Sequence, residues 1–112
     1  MRIAMPLESG RLAVHFGHCE QFALFDVDRE RCAVTARQDV AAPPHQPGFL
    51  PGWLAQQGAN VIISGGMGGR ALALFADAGI EVVTGAGADR PEAIIEEFLA
   101  GELEAGPNIC DH

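Results

Sequence analysis

The chain contains no lysine and no tyrosine, and its only serines are Ser9 and Ser64. All seven positive charges are arginine, against fifteen aspartates and glutamates, for a formal net charge of −8. So few cations exclude a broad electrostatic grip on nucleic acid or on an acidic membrane surface. Neither serine stands in a G-x-S-x-G pattern, so the nucleophile of a common hydrolase class is missing. Cysteine is scarce as well. Cys19, Cys32 and Cys110 are odd in number and without paired spacing, so a disulfide framework is not expected and a reduced, cytoplasmic setting is. No apolar run approaches the ~20 residues of a membrane span, and residues 1–6 carry no apolar stretch of signal-peptide length.

What is present should fold. Of the 112 residues, 48% are hydrophobic and 20% charged, enough apolar material for one domain over residues 1–112 with its own core. Residues 2–6 read as a short buried strand. Residues 7–17 read as a loop, with turn signals at Ser9-Gly10 and Phe16-Gly17. Residues 21–28 and 33–40 read as a hairpin, with Val34 facing inward. Residues 41–48 carry Pro43, Pro44 and Pro47 and must be an extended loop. A helix follows over 49–57, with Pro51 in its first turn and Gly58 behind it. Residues 61–64 form a β-branched run suited to a central strand buried on both faces.

The pattern of Ala71, Leu72, Leu74, Phe75 and Ala78 predicts a helix over 69–78. Residues 80–83 are the next strand, and 89–101 the last helix, opened by an Asp89–Glu92 capping box with Pro91 in the first turn. The order β, β, β, α, β, α, β, α gives an α/β class. A mixed sheet of about five strands, flanked by helices, is expected, with a parallel pair on either side of the 69–78 helix.

Three constellations carry chemistry. His15, His18 and Cys19 fall within five residues, His45 lies in the proline-rich loop, and Cys110 and His112 stand at the last positions. Imidazole and thiolate suit transition metals and iron–sulfur species. Local spacing alone favours histidines that merely flank a packed Phe16, because H-x-x-H-C is not a zinc signature. The second constellation is Ser64-Gly65-Gly66-Met67-Gly68-Gly69-Arg70, four glycines in five positions between a strand and a helix. Such a run lets a ligand approach the backbone, and successive N–H groups at a helix start attract anions. Tight helix-on-strand packing explains it equally well. A dinucleotide site is excluded because the next strand ends at Thr84 with no acidic residue for a ribose. The third constellation, Cys110 with His112, does nothing on spacing alone. Cys32, beside the hairpin turn, reads as incidental.

Taken in order, RIAMP at 2–6, HFGHCEQF at 15–22, PGFLPGWL at 47–54, NVIISGGMGGRAL at 60–72, GIEVVTGA at 79–86 and GELEAGPNICDH at 101–112 resemble a known family. The chain is similar to the nitrogenase iron–molybdenum-cofactor biosynthesis and carrier domains of the NifX/NafY type, which also form the C-terminal part of NifB. The resemblance implies an RNase H-like fold and non-catalytic binding of an iron–sulfur or molybdenum-containing metal–sulfur cluster. It implies a cluster-assembly or acceptor protein as partner, and a monomer or weak homodimer. It raises His15, His18, Cys19, His45, Cys110 and His112 as metal ligands, and Gly65, Gly66, Met67, Gly68, Gly69 and Arg70 as the cofactor cradle. In many members the residue matching His18 is arginine, so this chain offers one ligand more.

Two other readings stay open. One is a redox or hydrolytic enzyme using a single transition metal ion at His15, His18 and Cys19. The other is an interaction domain with vestigial ligands. Few apolar residues follow Leu103. Deleting residues 106–112 is therefore expected to leave the melting temperature within a few degrees, a change of at most about 1 kcal/mol readable by calorimetry.

Overall fold

A strand that opens on Ile3-Ala4-Met5 supplies apolar side chains to both of its faces, and the sheet is assembled around it. The computed structural model of the chain describes residues 1–13, 19–44, 48–86 and 90–101. Strand β1 is Arg2–Glu8, β2 is Arg11–Leu12, β3 is Gln21–Asp28, β4 is Ala33–Ala41, β5 is Val61–Ile63 and β6 is Glu81–Val83. Helices α1, α2 and α3 are Phe49–Gln56, Gly69–Asp77 and Pro91–Leu99. The strands form one six-stranded mixed sheet in the order β4-β3-β1-β5-β6, with β2 paired to the end of β1. β1 is antiparallel to β3 and parallel to β5, and β5 is parallel to β6. The α/β class, the mixed sheet and the parallel pair around α2 are as expected. The middle position belongs to β1, with β5 inside the sheet beside it.

The two-residue period of the strands separates two cores. Ile3, Met5, Ala23, Phe25, Val61 and Ile63 point to one face, where Ile94 and Ile95 of α3 cover them. Ala4, Phe22, Leu24 and Ile62 point to the other, against Leu54 of α1 and Phe75 of α2. Trp53 extends this second core by packing on Phe22, with ring centroids 5.6 Å apart.

Pro6 is tolerated in the middle strand because the β1–β5 ladder is matched at Ile3 and Ala4 only. The carbonyl of Pro6 accepts a hydrogen bond from the Ala13 N–H at 2.8 Å instead. The turn expected at Ser9-Gly10 is present, and within the expected loop it joins β1 to the short strand β2. Ser9 and Gly10 have φ of 54° and 79°, the positive pair of a tight hairpin turn. It returns the chain to Leu7 and Glu8.

One expectation is corrected. Val34 is 40% exposed, because β4 is the outer strand, and a bulge opposite Asp26 and Val27 interrupts its alternation. α3 opens after Arg90, which makes no side-chain cap bond; the expected Asp89–Glu92 capping box involves Asp89, which lies outside the described residues. Glu92 accepts from Arg37, a guanidinium that also holds Asp39 at 2.9 Å and lies 5.1 Å from the ring centre of Phe25.

Full burial of Phe75 against exposure of Val34 sets a contrast. Phe75→Ala should cost about 3–5 kcal/mol and Val34→Ala no more than about 0.5, measured by denaturant unfolding.

Candidate functional site

The connections place the chemistry at one end of the sheet. β1, β5 and β6 are mutually parallel, so their carboxyl ends lie together. β3 begins at that same end, with Gln21 opposite Leu7, and β4 finishes there, with Ala41 opposite Gln21. From β1 the chain proceeds to β3 on one side, and from β5 to β6 on the other. The reversal point lies between β1 and β5, where their ladder stops after Ala4 and Ile62. In open α/β sheets a crevice of this kind at the carboxyl ends takes ligands.

The glycine run divides in two at this crevice. Ser64, Gly65, Gly66 and Met67 are buried. The Ser64 N–H donates to the Val83 carbonyl at 2.9 Å, and the Gly85 N–H to that of Gly65 at 2.8 Å, prolonging the β5–β6 contact. The Ser64 hydroxyl donates to the Gly66 carbonyl at 3.2 Å, and Met67 belongs to the core beneath α1 and α2. The second half is exposed. Gly68 caps α2 with an extended backbone and no side-chain bond, and the first turn holds no acidic residue. The first intrahelical bond is the Leu72 N–H to the Gly68 carbonyl, which leaves Gly69, Arg70 and Ala71 without intrahelical acceptors. None of these four glycines has positive φ. A Cβ on Gly68 or Gly69 would meet nothing within 4 Å, so what glycine leaves free here is open space over the backbone.

Charge at this end is mixed. Arg11 on β2 and Arg70 on α2 are exposed and make no ion pair among the described residues. Glu20 accepts from the Ser9 N–H at 3.0 Å, so the carboxylate nearest the histidine segment braces the hairpin turn. It also lines an open hollow of about 380 Å³ with Leu7, Ser9, Gly10, Gln21 and Ala41. That hollow holds one ionisable side chain, too few for a metal.

Of the metal ligands expected from sequence, Cys19 alone is described. It is half-buried against the α1–α2 core. Burial pushes its thiol up to about 11; its own backbone hydrogen bond works against the rise and Glu8 adds to it. At neutral pH it is a thiol, and a metal must displace its proton. His15, His18, His45, Cys110 and His112 lie outside the described residues. The residues flanking two of those segments are described, and they leave from this end. The Ala13 N–H donates to the Pro6 carbonyl, the Glu20 N–H to that of Leu7, and the Ala42 N–H to that of Glu20. Among the described residues no group of three His, Cys, Asp or Glu is disposed to hold a metal.

The glycine run, following residues 61–64, is expected at the carboxyl ends of the strands, and it lies there. The reversal point between β1 and β5 has its sequence signal in Pro6, a residue without N–H in what is otherwise a central strand.

Comparison with known proteins bears on the same residues. Residues 1–101 match the family described as "Dinitrogenase iron-molybdenum cofactor". The uncharacterized protein MJ0580 of Methanocaldococcus jannaschii is 33% identical over 110 residues, covering 93% of this chain and 90% of that protein. The crystal structure of PH0822 superposes with a TM-score of 0.86 at 32% identity, covering 94% of each chain. The apo form of the orange protein from Desulfovibrio gigas superposes with a TM-score of 0.74 at 25% identity, covering 96% of this chain and 93% of that one. A match through both cores and the crevice makes the chain a member of the dinitrogenase iron-molybdenum cofactor family.

Proposed function

We propose that this domain binds and carries an anionic metal–sulfur cluster, of iron with or without molybdenum, and does not transform it. The observation that carries the reading is the exposed start of α2. There, Gly68 and Gly69 leave the backbone bare, no carboxylate stands in the first turn, and Arg70 contributes a cation. Successive N–H groups at a helix start form a concavity for negative charge, and a sulfide-rich cluster carries such charge. The family description names a cofactor of this chemistry. The likeness to an apo form of the orange protein fits a fold that takes a ligand. A sheet with helices on both faces suits the RNase H-like architecture that the sequence resemblance implies.

In this reading His15, His18 and His45 anchor metal, since the described residues beside their segments leave from the crevice end. Cys19 joins after losing its proton. Gly65, Gly66 and Met67 hold the loop in shape, and Gly68, Gly69 and Arg70 meet the cargo. Cys110 and His112 take second place. Leu99 and Ala100 line a hollow with Cys32 and Val34, at the opposite end of the sheet. Cys110 is nine residues beyond Gly101, a reach of at most about 30 Å, so joining the crevice asks the tail to span the length of the sheet. A hydrolytic alternative gains nothing from Glu20, whose carboxylate is already engaged by Ser9.

Anaerobic reconstitution with iron and sulfide, or with a molybdenum–sulfur species, should give a coloured protein. Gly68→Val should lower affinity for that cluster about tenfold or more, yet hardly change binding of a bare divalent cation, since the added side chain enters open space. His15→Ala with His18→Ala should lose most of the colour while the melting temperature holds. Colour that persists in the double variant would remove both histidines from the site. A protein that takes up neither cluster nor metal would end the carrier reading.

The raised Cys19 thiol gives a pH test. The neutral form is favoured up to about 11. In a Cys110→Ser variant at neutral pH, an alkylating reagent should therefore label exposed Cys32 well before Cys19, and Cys19 labelling should rise as pH approaches that value. Mass mapping with Cys19 modified first would contradict the buried-thiol assignment.

A further inference from the structure

We infer that β4 is the contact strand of a symmetric homodimer, formed by antiparallel pairing of β4 with β4 of a second copy, centred on Gln38. The sheet has two outer strands, and they differ. β6 spans three residues, whereas β4 spans nine, all exposed except half-buried Val40. A long outer strand presents unpaired N–H and carbonyl groups that template another strand unless something blocks them. Among the described residues nothing pairs with this edge, and it carries no proline or lysine.

Hydrogen-bond parity fixes which residues face outward. The Ala42 N–H donates to the Glu20 carbonyl at 3.0 Å, and Gln21 lies opposite Ala41. Backbone groups on neighbouring residues of an antiparallel strand point to opposite sides. Val40, Gln38 and Ala36 therefore bond inward to β3, and Ala41, Asp39 and Arg37 offer their backbone groups outward. The bulge lies beyond them, at the Asp26/Val27 step of the register.

Side-chain charge selects one register from the several that parity allows. Centring the pair on Arg37 sets arginine against arginine, and centring it on Asp39 sets carboxylate against carboxylate. Centring on Gln38 sets Arg37 opposite Asp39 of the second copy, twice by symmetry. In that register both residues are outward-facing, so each opposed pair exchanges two backbone hydrogen bonds. Arg37 and Asp39 already lie side by side on the α3 face, 2.9 Å apart, and a second copy extends that pair into an alternating row of charges. Edge charges usually repel another strand. Plus, neutral, minus about a central residue repels most sequences and complements itself.

The dimer continues the sheet across both molecules. Because the two β4 strands run in opposite directions, the crevice ends point away from each other, so each copy keeps its own site. The proposal does not depend on what that site binds.

Sedimentation equilibrium on the ligand-free chain, from about 10 μM to about 1 mM, tests it. Reversible monomer–dimer association is expected, weakening when salt rises from about 0.05 to about 0.5 M. Arg37→Asp should weaken association at least about tenfold, and adding Asp39→Arg should restore it to within about threefold of the parent. Asp39→Pro removes an outward N–H and leaves the inner ladder intact, so it should abolish the dimer and preserve the melting temperature. Amide signals of Arg37, Asp39 and Ala41 should shift on dilution. A monomer throughout the range overturns the proposal and leaves the edge to a strand of some other protein. A dimer indifferent to Asp39→Pro overturns it by placing the contact elsewhere.

Discussion

Strand β1 is buried on both faces and paired along both edges, and every other element takes its place from that double burial. Ile3 and Met5 build the core under α3, while Ala4 builds the core under α1 and α2. A strand so placed needs partners on each side, β3 antiparallel and β5 parallel. Pro6 then ends the equivalence of the two edges. The β3 ladder continues through Pro6 to Leu7, while the β5 ladder is already over. The missing N–H separates β1 from β5 at their carboxyl ends, and β2 fills only the last two positions. One imino acid thus marks where the β1–β5 ladder stops, at the end of the sheet where the exposed half of the glycine run begins.

Where one periodicity ruled a segment, the sequence was readable. β3 was expected at 21–28 and occupies Gln21–Asp28. Gly79 was expected beyond α2 and has φ of 76°. Failures fell where a distant partner decides. β2 is only two residues long and is fixed by Leu7 and Glu8. Val34 is expected inward because the hairpin alternates, yet the alternation on β4 is broken by the bulge and the strand is the outer one of the sheet. Glu92, expected at the start of its own helix, is also held by Arg37, 55 residues away. The glycine run was read as one unit. Its division follows from hydrogen bonds to Val83 and Gly85, which no local pattern reveals. For the segments of His15, His18 and His45, residue type and adjacency to strand ends are legible in the sequence, and the hydrogen bonds of the flanking residues put those strand ends at one end of the sheet.

The net charge of −8 appears hostile to an anionic cargo, but the charges are sorted. Arg2 is committed to Asp26 at 2.8 Å, which holds that carboxyl below its ordinary range and the guanidinium above. Arg37 is committed to Asp39 and Glu92, and likewise rises. Neither serves the crevice. Arg11 and Arg70, at the crevice end, have no such partner among the described residues. Screening at physiological salt confines each charge to about 8 Å, so the potential at the start of α2 is set by what stands within a helix turn of it rather than by the sum over the chain.

Among the described residues, the large side chains of the two cores come from β1–β6, α1–α3 or the short stretches joining them. In the carrier proposal the histidines stand outside those elements, and ligands carried on connections contribute little to stability. Enzyme sites that activate water hold their ligands rigidly on strands and helices, with a free carboxylate in place. Here Glu20, next to Cys19 in sequence, is engaged by the hairpin turn, and the Cys19 thiol stays protonated until a metal claims it. Under the carrier proposal, an engaged carboxylate and a thiol that yields its proton only to a metal suit holding a cargo rather than transforming it. Those are the properties that the carrier reading requires, and they follow from where the chain spends its regular structure.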